Sequence, residues 1–168
     1  MKHFTFILTV ILLMMASMGA KAQDISYEHC VAVDGLAYAL DKTAKTAAVI
    51  AHDCKDDEGN RLCERYKGDV VVPEAITVEG VNYTVTALAE MAFAMSDISS
   101  LKLPSTLKKM DFRAVSFCLN LEKANLPASV EELGQRSFSC CPKLDDFTIE
   151  EGNKHFVLES NMLMSADR

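Results

Sequence analysis

Positive charge is scarce in this sequence. Seventeen lysines and arginines stand against 24 aspartates and glutamates, for a net charge of −7. No basic stripe or cluster occurs, which excludes nucleic acid and anionic membrane surfaces as natural partners, since both need a positive footprint. Beyond the first twenty residues no apolar run is long enough to cross a bilayer. There is no CxxC pair, no glycine-rich phosphate loop and no nucleophile elbow. The carboxylates are numerous but scattered, so no glycosidase pair stands out. Yet 49% of the residues are hydrophobic, so this is no disordered chain. Its 168 residues leave room for one domain with a real core.

The N-terminus reads as a targeting segment. Lys2 gives a short positive start, residues 4–18 are almost wholly apolar, and Ala20-Lys21-Ala22 sets small residues at the two positions a signal peptidase reads. Residues 1–22 are therefore expected to be removed, leaving Gln23 first; the alternative is an uncleaved membrane anchor. Cys30 lies too far downstream for a lipid anchor. The remainder is more acidic still, with 15 basic against 24 acidic residues, and carries no further membrane segment. All six cysteines, Cys30, Cys54, Cys63, Cys118, Cys140 and Cys141, fall in it, where export permits disulfides.

An internal repeat is the main signal. Pro104 and Pro127 are 23 residues apart, as are Cys118 and Cys141. Leu101/Leu103, Ala124/Leu126 and Phe147/Ile149 alternate as strands with one face inward. Proline ends two of these strands, and Glu150 takes its place after the third. Ala92-Phe93, Ala114-Val115 and Ser137-Phe138 follow in phase, each too short for a full helix and expected to form one helical turn that drops its second residue into the core. One coil alone cannot bury its apolar residues; stacked coils bury them against one another. A buried Phe or Leu in such a ladder contributes about 1.5–3 kcal/mol, so Phe138→Ala is expected to cost about 3 kcal/mol or more.

These residues resemble the BspA-like class of leucine-rich repeats of bacterial surface and secreted proteins. Residues 126–144 match its consensus, I-P-x-x-V-x-x-I-G-x-x-A-F-x-x-C-x-x-L, at Pro127, Val130, Leu133, Gly134, Phe138, Cys141 and Leu144. Residues 66–73 and 80–86 resemble a common lead-in, and residues 34–38 its opening strand. There are departures. Ser96 stands where Cys is usual, Asp111 replaces Gly, Val115 replaces Phe, and the first unit is one residue short between Phe93 and Leu101. The resemblance implies a β-rich α/β solenoid, with leucine-rich-repeat coils building a parallel sheet after a small β capping section. Residues 23–84 would form that lead-in and 85–168 about three coils plus an irregular terminal unit. The resemblance is specific for fold and weak for function, because the scaffold carries many ligands.

Between Ile50 and Tyr66 lies an acidic loop with His52, Asp53, Cys54, Asp56, Asp57, Glu58, Gly59, Cys63 and Glu64. His52, Cys54 and Cys63 could make a zinc site, but paired ligands are missing. A calcium loop fails because Cys54 would stand where Asp is needed. The favoured reading is a solvated hairpin tip closed by a Cys54–Cys63 disulfide worth about 2–3 kcal/mol. Cys118 and Cys141 are expected to stack in adjacent coils. Cys140 could pair with Cys30 or with nothing. A nucleophilic pair of any Cys with His29, His52 or His155 has only co-occurrence behind it. Neither enzyme activity, cofactor nor metal is expected.

Two functions remain. The first is recognition of a protein or glycan by the outward residues of the coil strands, Ser100 and Lys102, Lys123 and Asn125, Asp146 and Thr148. The second is assembly. Residues 153–167 resemble an irregular unit with two strand arms, and without a polar cap that end of the solenoid invites self-association.

Overall fold

The computed structural model describes residues 30–55, 58–159 and 162–166. The expected targeting segment, His29, Asp56 and Asp57 lie outside the described residues. Among those described, no helix is long and apolar enough to cross a membrane.

Two sheets run side by side through the molecule. One is parallel throughout, in the order β11 (Asp146–Ile149), β9 (Lys123–Leu126), β7 (Asp97–Lys102), β4 (Lys67–Val71). The other has the path β1 (Cys30–Val33), β2 (Leu36–Asp41), β3 (Thr46–Val49), β6 (Val81–Leu88), β8 (Lys109–Met110), β10 (Glu132–Leu133), with β5 (Ala75–Val78) paired antiparallel to β6. A hairpin of β12 (Phe156–Glu159) and β13 (Met162–Ser165) follows, supplying the two expected strand arms. The lead-in strands form where alternating apolar residues meet turn residues. Asp34-Gly35 and Glu79-Gly80 both sit at positive φ and close two-residue hairpins. Because β3 and β6 enter one sheet and β4 the other, the lead-in and the coils share a single core.

The core consists of rows one coil apart. Leu101, Ala124 and Phe147 stack, as do Leu103, Leu126 and Ile149, and Phe93, Val115 and Phe138. In each row the first two members are buried and the third only partly so. Phe138, whose truncation is expected to cost about 3 kcal/mol or more, is thus among the partly buried ones. It leans on Phe147 at 4.8 Å, and a smaller cost follows. Tyr66 ties the lead-in to the core. Its hydroxyl donates to the Ile50 carbonyl at 2.8 Å and accepts from Ala37 N at 3.0 Å. Its ring meets Phe93 at 5.1 Å.

The expectation of an α component is corrected. No helix occurs among the described residues. The stretches around residues 89–96, 111–118 and 134–141 are chains of tight turns. Met91, Met95, Arg113, Phe117, Arg136 and Cys140 all have φ between 53° and 61°, so every fourth residue breaks right-handed winding. The backbone is satisfied another way. Ala92, Ala94 and Ser96 donate back three residues. Met91, Phe93 and Met95 donate instead to the carbonyls of Phe112, Ala114 and Ser116 in the next coil, at 2.8–3.1 Å. Arg113, Val115 and Phe117 do the same to Gln135, Ser137 and Ser139. This inter-coil ladder repays the left-handed residues, which a helical turn could not offer.

The disulfide is also corrected. Cys54 bonds to Cys30, with their Cα atoms 6.7 Å apart, and Cys63 stays a thiol. Register explains the choice. Cys30 pairs with Ala39 on β2, Ile50 N bonds to Ala37 O, and both Cys30 and Cys54 pack against the small cluster of Ala37, Ala39 and Ile50. Within the loop the Lys55–Arg61 bridge sets Leu62, not Cys63, across from Cys54.

Candidate functional site

The outward residues of the parallel sheet form two rows across the strands. Register places Asp69, Ser100, Lys123 and Asp146 in one. The second pairs Val71 with Lys102 on one side and Asn125 with Thr148 on the other. All six residues expected to face out line one shallow depression of about 340 Å3, together with Leu101, Ala124 and Glu150.

Their chemical states differ. Lys123 forms an ion pair with Asp146 at 3.3 Å. Asn125 is largely occupied in holding the coils: its Oδ1 accepts from Leu103 N at 2.8 Å, while its Nδ2 donates to Glu150 Oε1 at 2.9 Å. Ser100 donates to Asp69 Oδ1 at 2.7 Å, and Ser99 donates to the same oxygen at 2.9 Å. A register shift between Gly68 and Asp69 lets both hydroxyls reach one carboxylate. Those bonds, from Ser100 first and Ser99 second, hold the Asp69 carboxyl below its ordinary value. Lys102 and Thr148 are exposed and have no polar partner among the described residues. Lys102 is thus the uncommitted cation of the face.

Sequence reading missed three contributors, Asp69, Glu150 and Val71, the last 65% exposed. Alternation in residues 67–71 already set Asp69 and Val71 opposite Val70. Nothing in the sequence said that β4 would join the coil sheet in parallel register.

The acidic loop offers less. Cys54 is held in the disulfide, which removes it from the zinc set with His52 and Cys63. The Cys63 thiol donates to the His52 carbonyl at 3.5 Å, not to its ring, and burial pushes that thiol up. The His52 imidazole, edge-on to Tyr66 at 5.7 Å, is shifted down by burial first, with Arg61 and Arg65 adding to it against Asp53. A protonated thiol beside a backbone carbonyl is a poor nucleophile. Cys118 and Cys141 stack as expected, donating to the carbonyls of Phe93 at 3.0 Å and Val115 at 3.2 Å. Cys140 is an exposed thiol and is not paired with Cys30.

Comparison with known proteins agrees with this geometry. The family model described as a BspA type leucine rich repeat region matches residues 75–163 in six copies. Among solved structures, a leucine-rich repeat protein from Bacteroides ovatus superposes with a TM-score of 0.57 at 22% identity, covering 73% of this chain and 32% of its own. A leucine rich cell surface protein from Faecalibacterium prausnitzii gives 0.54 at 16%, covering 72% and 32%. A leucine-rich repeat protein from Bacteroides capillosus gives 0.51 at 20%, covering 72% of this chain and 98% of its own. This chain spans about a third of the length of the first two. No curated protein sequence matches it.

Proposed function

Since the chain belongs to the BspA-type leucine-rich-repeat family, we propose that it is an exported recognition module that binds a protein or glycan through the open face of its parallel sheet, without catalysis. The observation that carries this reading is the depression of about 340 Å3 where three adjacent coils set Ser100, Lys102, Lys123, Asn125, Asp146 and Thr148 side by side. A regular, rigid, polar surface of this kind is what a ligand with repeating polar groups requires. Lys102 would meet an anionic or carbonyl group, with Thr148 adding a hydroxyl. Export is supported by the apolar N-terminal run and by the Cys30–Cys54 bond, which suits an oxidising compartment.

The test is binding of residues 23–168 to immobilised matrix proteins and cell-surface glycans, run beside Lys102→Glu. Lys102 is the better probe than Lys123, whose reversal would also set a carboxylate against Asp146. Saturable binding lost in Lys102→Glu is expected. Binding unchanged by that substitution would move the site off this face.

A second reading, self-association through the C-terminal coil, has its own observation. Phe138, Cys141, Leu144, Phe147 and Ile149 are all partly exposed, while their equivalents one coil earlier, Val115, Cys118, Leu121, Ala124 and Leu126, are buried. The N–H groups of Arg136, Phe138 and Cys140, which continue the inter-coil ladder, meet no acceptor among the described residues. A second copy would supply both cover and acceptors. Sedimentation over a wide concentration range decides it: a monomer throughout rejects this reading.

A further inference from the structure

The turns that lead from β6 to β7 and from β8 to β9 carry an unexpected surface. Met95 is 55% exposed, Phe112 37%, Phe117 41% and Leu119 60%. These four make up most of the large apolar side chains left open among the described residues. They belong to two neighbouring coils, joined by the bonds from Met91 N to Phe112 O and from Met95 N to Ser116 O. Arg113 lies among them. Its guanidinium carbon sits 4.9 Å from the Phe112 ring centre and 6.0 Å from that of Phe117. Its Nε is buried and donates to nothing among the described residues. One coil on, at the same place in the turn, stands the exposed Arg136. Neither arginine has a carboxylate partner among the described residues, although the chain as a whole carries a net −7.

We propose that this face is a docking site for a protein segment that sets a carboxylate beside a large apolar side chain. Two features fix the partner's chemistry. The guanidinium is planar, lies near two rings and has no carboxylate partner among the described residues, which favours a carboxylate able to take two parallel N–H bonds. Toward the first coil, the row ends at a depression of about 390 Å3 lined by Ile50, Ala51, Asp53, Cys54, Glu90 and Met91. Its floor is apolar, and its two carboxylates repel an acid. The segment therefore runs in one direction, its apolar side chain toward Met91 and its acid toward Arg113 and Arg136. Coils repeat every ~4.8 Å, so about three extended residues span the three rows. Arginine, phenylalanine and methionine are the side chains enriched where partners bind. This site is independent of the sheet face.

Panning a phage-displayed library of short linear peptides on the full chain tests it, with counter-selection on Arg113→Gln. The enriched peptides are expected to carry Asp or Glu next to a large apolar residue. As synthetic probes they should bind at least about tenfold more weakly to Arg113→Gln and to Phe117→Ser, and with unchanged affinity to Lys102→Glu. Arg113→Lys keeps the charge without the fork and should fall between. Phe117→Ser alters an exposed ring, so it reports even where Arg113→Gln fails to fold. Enrichment equal on the counter-selected variant, peptides without acids, or affinity unchanged in Phe117→Ser would each overturn the proposal.

Discussion

Phe93→Ala and Phe138→Ala delete the same side chain from the same row of the core, two coils apart, and the structure assigns them different costs. Phe93 is fully buried, with Tyr66 on one side at 5.1 Å and Val115 of the next coil on the other. Its removal leaves a closed cavity, for which about 3–5 kcal/mol is expected. Phe138 has a partner, Phe147 at 4.8 Å, but is only partly buried. Part of its ring already meets water, and the space it leaves is open to solvent rather than a sealed void. About half the burial and cavity cost, plus roughly 0.5–1 kcal/mol for the ring pair, gives about 2 kcal/mol. The gap between the variants should therefore exceed ~1 kcal/mol, well outside the error of a urea titration. The chain has no tryptophan, so far-UV circular dichroism and tyrosine fluorescence should follow unfolding together, their coincidence checking that the coils melt as one unit. Equal costs would refute the reasoning. If the midpoint then rose with protein concentration, a second copy would be covering Phe138; if not, a segment of the same chain would be.

Gly134→Ala should cost about 1–3 kcal/mol or more, since an added Cβ would lie 2.5 Å from Phe112 N and 2.7 Å from Asp111 O. These are backbone atoms that cannot rotate aside; a melting temperature equal to wild type would show that the third coil packs more loosely. A non-reducing digest should link Cys30 to Cys54 and leave Cys63 open to alkylation, with Cys140 the fastest of the four free thiols to react in the native state. Reducing the bond should cost about 3 kcal/mol for its loop length, and recovery of a Cys54–Cys63 peptide would contradict the fold of the lead-in. Asp69 should titrate below the ordinary aspartate value of 3.8. Because its folded-state pKa is depressed, its contribution to stability is present above the unfolded value and lost as pH falls through the folded one. Ser100→Ala should raise the carboxyl midpoint seen by NMR, and a wild-type midpoint at or above 3.8 would remove the hydroxyl clamp.

How much of this was legible depended on the length of each pattern. Leu101/Leu103, Ala124/Leu126 and Phe147/Ile149 repeat at a fixed spacing with strand alternation, so the coil sheet and its six outward residues could be named from the sequence. The companion sheet could not. Its coil strands are two residues each, Lys109–Met110 and Glu132–Leu133, too short for alternation to register. The turns misled for a related reason. Ala92-Phe93 and its equivalents have helical spacing of buried residues, but Met91, Arg113 and Arg136 hold positive φ, a conformation that no side chain of theirs announces. The disulfide was misassigned because nearness in sequence favoured Cys54 with Cys63. The actual partner comes from the β1–β2 hairpin, whose position beside the loop is set by Tyr66 reaching both Ala37 and Ile50.

The second coil explains why the turn face is more than a by-product of the repeat. The first and third coils place phenylalanine inward, as Phe93 and Phe138, whereas the second has Val115 there, fully buried. Its two phenylalanines stand outside instead, at Phe112 and Phe117. The core does not need them. Val115 fills its place between Phe93 and Phe138, and the inter-coil ladder that passes through residues 113, 115 and 117 uses backbone atoms alone. The outer rings lie against Arg113, whose Nε is buried. Burying the Arg113 Nε without an acceptor is unfavourable for the isolated chain. A partner carboxylate would meet the open end of a guanidinium already oriented beside the two rings, so less freedom is lost on binding. A local departure from the repeat that weakens the free protein and strengthens a complex is how a binding surface differs from a packing error.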